Sequence, residues 1–205
     1  ITLVNNEKEL YDKYISIKKE YGSCHLQEFV AEGSKQFKVQ LFINDKGKLV
    51  ASTVINKIRF YPEKGGSSCC NETIFHDNLV KLCYDVLKTL GWVGFADFDL
   101  IQDSKNGISK IMEINPRVPA CIKSSIVSGI DFAAIIADQT LYNKSQNYVY
   151  SPNKYLRYFS LDFLWFVYSK NRFKTVPNWF NIFSRNTYFQ DISLDDPLPF
   201  IYGSI

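Results

Sequence analysis

Asp99, Glu113, Asn115 and Arg117 are the residues of this chain whose types and spacing could do chemistry together. Phe95-Ala96-Asp97-Phe98-Asp99-Leu100-Ile101 and Ile111-Met112-Glu113-Ile114-Asn115-Pro116-Arg117 both alternate apolar with acidic or amide residues, the period-two signature of half-buried strands. Lys105-Asn106-Gly107 between them suits a three-residue hairpin loop ending in a left-handed glycine. Closing the hairpin there pairs Ser104 with Ile108 and brings Asp99 opposite Glu113, whereas a slip of one residue would put them on different faces. Facing carboxylates repel, and both stay ionised only with a cation between them. Oxygen donors of this kind suit Mg²⁺, which completes its shell with water and substrate phosphates. The spacing therefore points to a magnesium–nucleotide site with Asp99, Glu113 and Asn115 on the metal. Arg117, a planar and permanently charged fork, suits the oxygens of a transferring phosphoryl group. By themselves Glu113 and Asn115 would read as a solvated strand face, and Asp97 reads equally as part of the site or as a structural acid.

The elements that must position these residues are also legible. Glu7 to Tyr21 is a charged amphipathic helix ended by Gly22. Strands are expected over Cys24 to Val30, Gln36 to Ile43 and Leu49 to Ile58, with Asn44-Asp45-Lys46-Gly47 turning between the last two. Tyr61 to Cys70 reads as a loop around Pro62 and Gly65-Gly66. Asn71 is placed to cap a helix carrying Phe75, Leu79, Leu82, Cys83, Val86, Leu87 and Leu90 on one face and ended by Gly91. After the acidic hairpin come short helices from about Lys123 to Leu141. From Tyr155 onward the chain turns aromatic, a bias that reads first as an extra lobe packing its rings internally. A membrane-surface helix is the competing reading.

These pieces, in this order, resemble the ATP-grasp family, of the carboxylate–amine ligase type that includes the ATP-binding domain of the carbamoyl-phosphate synthase large chain. Glu113-Ile114-Asn115-Pro116-Arg117 looks like the family's Glu-x-Asn-x-Arg metal segment. Leu26-Gln27-Glu28-Phe29-Val30 looks like the hinge strand that receives adenine, which implicates Gln27, Glu28, Phe29 and Val30. Gly65-Gly66-Ser67-Ser68 resembles the glycine-rich turn before the long helix of the second subdomain. Ser128-Gly129-Ile130-Asp131 resembles the helix-turn after the metal strand, and Asp195-Asp196-Pro197-Leu198-Pro199 the tail of ligase members. Where the family commonly carries a ribose-binding glutamate, this chain has Gly33-Ser34-Lys35-Gln36, with Glu32 slightly early.

The resemblance implies an α+β fold: a mostly antiparallel sheet with helices on one face, the second ATP-grasp subdomain, followed by a C-terminal aromatic extension. It divides the chain into 1–22 (end of a preceding subdomain), 23–142 (the subdomain itself) and 143–205 (the extension). It implies ATP and Mg²⁺ (or Mn²⁺) as cofactors. The implied reaction is one in which a substrate carboxylate attacks the γ-phosphate and an amine captures the acyl phosphate. Small-molecule carboxylate and amine substrates would then be partners, together with an N-terminal part of the same protein carrying the phosphate-binding lysines. Without that part, this stretch alone is expected to be inactive and prone to self-association. A non-catalytic nucleotide-binding or interaction module on the same half-fold is the alternative.

Lys57 and Arg59 fall on one face of a strand, where with Lys64 they could bind a carboxylate or phosphate; the bland reading is a solvated basic face. His25 and His76 have no metal or triad spacing, and nothing supports a covalent nucleophile. A formal net charge of +3 over 205 residues does not argue for nucleic acid, and no apolar run is long enough for a transmembrane segment. Five cysteines, odd in number and without zinc spacing, fit free thiols in a reducing, cytoplasmic setting.

Overall fold

β1 (Lys35–Ile43) and β2 (Leu49–Tyr61) form the central hairpin of the computed structural model, which describes residues 2–30, 34–142, 146, 148–193, 196 and 198. Asn44 builds the connecting turn by accepting from the Lys46 and Lys48 amides, at 3.1 and 2.9 Å. β3 (Ser67–Ile74) pairs antiparallel with β2, and β4 (Gly94–Gln102) with β1. β5 (Ser109–Asn115) then pairs antiparallel with β4. β6 (Tyr155–Arg157) joins β3 antiparallel, and β7 (Thr187–Phe189) joins β6 in parallel. Among the described residues this gives one mixed sheet in the order β5-β4-β1-β2-β3-β6-β7. The stretch set apart from the sequence as an extension thus supplies two strands to the same sheet.

The helices are α1 (Glu7–Tyr21), α2 (Asp77–Thr89), α3 (Lys123–Ser128), α4 (Phe132–Tyr142) and α5 (Phe159–Tyr168). The class is α+β as expected, with the helices divided between the two faces. Leu79, Cys83 and Leu87 of α2 bury against Phe37, Val39, Leu41, Val54, Ala96, Phe98 and Leu100. Residues of opposite parity, Phe42, Ala51 and Phe95, pack on the other face with Ile130, Phe132 and Ile135 around α4. Burying side chains of this size stabilises by about 1.5–3 kcal/mol each, so these two layers hold the middle of the sheet. Gly129, at φ 108°, turns α3 into α4 in a conformation that side chains disfavour.

Three local expectations are corrected. Cys24 to Val30 forms no strand: it has no ladder partner among the described residues, and a lone extended segment leaves its amides unpaired. Asn71 does not cap a helix. It lies buried in β3, opposite Lys57 on one side and Leu156 on the other, so pairing on both edges overrides the local capping signal. His76 takes the cap instead and receives the Leu79 amide at 3.4 Å. Gly65-Gly66 consequently precedes a strand rather than the helix. Gly66 is required there because a Cβ would collide with the Tyr61–Pro62 backbone. The proposed ligase tail, Asp195 to Pro199, lies largely outside the described residues, as does the ribose candidate Glu32.

Candidate active site

Two polar rows, one across four strands and one across three, lie on the sheet face that α3 and α4 cover at one end. In the first, Thr53 of β2 faces Gln40 of β1, Gln40 faces Asp97 of β4, and Asp97 faces Asn115 of β5. In the second, Lys38 of β1 faces Asp99 of β4, and Asp99 faces Glu113 of β5. Residues directly opposite in antiparallel strands share a face, so the sheet gathers three carboxylates, two amides and a lysine. Lys57, one step along β2, joins them from opposite Gln36.

The facing of Asp99 and Glu113 is as expected, but it arises differently. The loop does not close at Ser104 and Ile108. The Asp103 amide donates to Ile108 O and the Gly107 amide to Asp103 O, at 2.9 and 2.8 Å. The ladder then runs one residue out of step, with Gln102 opposite Ser109 and Leu100 opposite Ile111. A β-bulge that leaves Met112 unpaired restores the register, and Asp99 meets Glu113. An inserted residue of this kind re-aims the side chains beyond it.

The interior of the face is an ion network. Lys38 Nζ donates to Asp97 Oδ2 at 2.6 Å and to Asp99 Oδ2 at 2.7 Å, while Lys57 Nζ donates to Asp99 Oδ1 at 2.5 Å. Burial works against the charge of Asp99, but the charge of Lys57 and the hydrogen bonds from both lysines outweigh it. Its carboxyl is held below the usual carboxylate range. Asp97 is fully buried, and burial pushes its carboxyl above that range against the pull of Lys38. Among the described residues no hydrogen bond reaches its Oδ1. Burial also opposes the charge of Lys38, yet its two aspartates raise the ammonium above the ordinary lysine range. Gln40, Thr53 and Ser125 of α3 hydrogen-bond one another and close the end of the first row.

Glu113 is exposed and receives Asn115 Nδ2 at 2.7 Å. Arg117 is exposed two residues beyond β5. Interior lysines, an exposed carboxylate, a half-buried amide and a terminal arginine form a graded face that could receive a polyanion through a bridging cation.

Arg59 is not part of it. A bulge at Ile58 breaks the alternation after Lys57, and Arg59 is buried with Asp162 of α5. Its Nε and Nη2 donate to the two carboxylate oxygens at 2.7 and 3.2 Å. Arg157 Nε donates to the same carboxylate at 2.6 Å, and Trp165 and Trp179 cover the two guanidiniums. Arg59 therefore anchors the aromatic lobe to the sheet, which corrects the reading of it as a nucleotide ligand.

The hinge segment lies apart from the carboxylates. Gln27, Glu28 and Phe29 are exposed and Val30 half-buried. Glu28 accepts from Lys110 of β5 at 2.5 Å, which holds the segment beside the edge strand. With α1, which has no buried residue, it borders a cleft of about 960 Å³ lined by Tyr14, Ile17, Leu26 and Phe29. No residue of the two polar rows lines that cleft.

The sequence reading missed Lys38, Gln40, Thr53 and Ser125. The alternation of Gln36, Lys38 and Gln40 with Phe37, Val39 and Leu41 was visible. Assigning that polar face to the site required knowing that β1 lies beside β4.

No protein-family model matches the sequence, and no curated protein matches it. Solved structures do. A biotin carboxylase from Campylobacter jejuni in a β,γ-ATP complex is 17% identical, with a TM-score of 0.50 over 64% of this chain and 31% of that one. The biotin carboxylase domain of Hydrogenobacter thermophilus 2-oxoglutarate carboxylase, with MgADP, ADP and bicarbonate, is 16% identical. Its TM-score is 0.54 over 73% of this chain and 36% of that one. Rhizobium etli pyruvate carboxylase is 14% identical, with a TM-score of 0.52 over 64% and 12%. At these identities the likeness is one of fold. It is the ATP-grasp fold, covering part of this chain, and the chain spans about a third or less of each of those structures.

Proposed function

We propose that this chain forms one wall of the ATP site of a ligase that activates a carboxylate with ATP and transfers the acyl group to an amine. The observation that carries the reading is Asp99 opposite Glu113, with Asn115 in the adjoining row, on a fold whose solved relatives were captured with ATP or MgADP.

The donor set fits a magnesium ion brought by a nucleotide. Among the described residues no three His, Cys, Asp or Glu side chains converge as a metal cage. Mg²⁺ typically takes one or two carboxylates and fills its shell with water and phosphate oxygens. Asp99, Glu113 and Asn115 would hold it. When bound, the ion would offset phosphate charge and keep the reacting phosphoryl group in line. Lys38 and Lys57 keep Asp99 ionised, the state a cation ligand requires. Arg117 would take an oxygen of the transferred group, and the backbone of Glu28 and Val30 the adenine edge.

This reading makes the N-terminal part of the protein a partner, because the solved relatives are about three times longer than the stretch matched here. The 205-residue chain alone would then bind Mg-ATP weakly: its wall is solvent-exposed, and water competes well for the ion there. Titration calorimetry giving a low-micromolar dissociation constant for this chain would show that the wall suffices by itself.

The deciding experiment uses the longest natural protein containing this sequence. Glu113→Gln should lower Mg²⁺-dependent phosphate release with a cognate acid and amine by orders of magnitude and leave the melting temperature unchanged. Turnover near wild type would remove Glu113 from the site. The lysines already neutralise Asp99 within the protein, and this favours the second reading, a non-catalytic nucleotide-binding module. Tight Mg-ATP binding without phosphate release, for any acid–amine pair tried, would establish it.

A further inference from the structure

We infer that the aromatic lobe carries a docking surface for an anionic lipid bilayer, formed by the outer face of α5 and the 170–185 loop. From Phe163 to Gln190 the chain contains Lys170, Arg172, Lys174 and Arg185 and no acidic residue. That stretch alone carries more positive charge than the whole chain's net +3.

The same stretch leaves its apolar side chains outside. α5 turns Asp162 and Trp165 inward, while Phe163, Leu164, Val167 and Tyr168 face solvent. Beyond it Phe173 is 68% exposed, Val176 82% and Phe183 93%. Ring contacts join part of the patch. Phe166 packs edge-on against Phe173 and Phe180, with ring centroids 5.7 and 5.5 Å away, and Phe163 contacts Trp179 at 6.4 Å. Arg172 lies within it, donating to Val167 O at 2.7 Å with its guanidinium 5.6 Å from the Phe173 ring. Large exposed apolar side chains concentrated in this way mark an interaction site.

The chemistry selects the occupant. Four cations outnumber the one exposed acid that, among the described residues, reaches this stretch, Glu63, which accepts from Ser169, and the net positive surface is complementary to anionic headgroups. Rings and long basic side chains suit the boundary where an apolar end meets a wet one. Leu164, Val167 and Val176 offer nothing to a nucleotide base, whereas the acyl boundary accepts them. At ten residues α5 is too short to cross a bilayer, and no single described helix is long and apolar enough to do so. The surface therefore lies on the membrane.

The test is co-sedimentation of the 205-residue chain with vesicles of phosphatidylcholine alone and of phosphatidylcholine mixed with phosphatidylglycerol. The expected result is uptake by the anionic vesicles only, released by salt. It should fall at least about thirtyfold in Lys170→Glu with Lys174→Glu, at about 1 kcal/mol for each lysine lost, and also fall in Phe173→Ser with Phe183→Ser. Both pairs are exposed, so circular dichroism should show an unchanged fold, and the charge pair alone decides if the phenylalanine pair misfolds. No uptake by anionic vesicles, equal uptake by neutral ones, or uptake unchanged by the charge reversal would overturn the proposal. Concentration-dependent dimers without vesicle uptake would make the patch a contact between copies and overturn it as well.

Discussion

Asp99 faces Glu113 because one exposed residue, Met112, is left out of the ladder between them. The loop displaces the strands by one position, and the bulge displaces them back. Two local irregularities thus cancel at the place where the carboxylates must share a face. A site built in this way depends on the bulge as much as on the acids.

Lys38 should be the keystone of the face. It is largely buried and donates to both Asp97 and Asp99. Lys38→Met would strip a shared counter-ion from two buried carboxylates, a change that typically costs about 3–5 kcal/mol. Urea unfolding at neutral pH measures it. Adding Asp97→Asn should recover part of the loss, because the buried charge most in need of Lys38 is then gone. A double variant no more stable than Lys38→Met would refute the coupling.

The two aspartates should act oppositely on stability in acid. Asp99 has its carboxyl lowered by folding, so its contribution is present above the unfolded carboxylate range and is lost as pH falls through the folded value. Asp97 has its carboxyl raised by burial, so its contribution is present at low pH and is lost as pH rises through the folded value. Asp99→Asn should therefore flatten the rise of unfolding free energy with pH below about 4, and Asp97→Asn should steepen the pH dependence above about 4. The same direction for both would contradict the assignment.

Arg59 and Lys57, two residues apart, should separate cleanly. Asp162→Asn would leave Arg59 and Arg157 buried together without a counter-charge, costing at least about 3 kcal/mol and loosening the aromatic lobe. Trp165 and Trp179 fluorescence would report it. Lys57→Ala should instead reduce Mg-ATP affinity in the full-length protein, while leaving the emission of those tryptophans unchanged. A shift of emission in Lys57→Ala, or none in Asp162→Asn, would reverse the roles assigned to the two basic residues.

Thiol labelling should divide the cysteines. Burial pushes Cys70 and Cys83 up to about 12 and Cys121 up to about 11, and raises Cys69 further. Their thiolates are scarce at mildly alkaline pH, and only Cys24 is exposed. An aromatic disulfide reagent should titrate one thiol quickly and the other four on unfolding. A second fast thiol would mean that the Ala120–Ile122 turn around Cys121 opens, and three or more that the β3 or α2 core opens readily.

Local pattern was enough for α1, α4, the β1–β2 turn and the alternation of β4 and β5, because caps, glycines and hydrophobic periods act between near neighbours. The ATP-grasp resemblance rested on Asp99, Glu113 and the Arg117 just beyond β5, and the fold agrees with it. What remained hidden depended on contacts far apart in the chain. Asn71 looked like a cap until β3 was seen to be paired on both edges. Arg59 looked like a partner of Lys57 until a bulge and Asp162, 103 residues away, claimed it. Lys38 entered the site only because β1 lies beside β4. The sequence determined which groups could do the chemistry; strand order and bulges, set by long-range pairing, decided which of them meet.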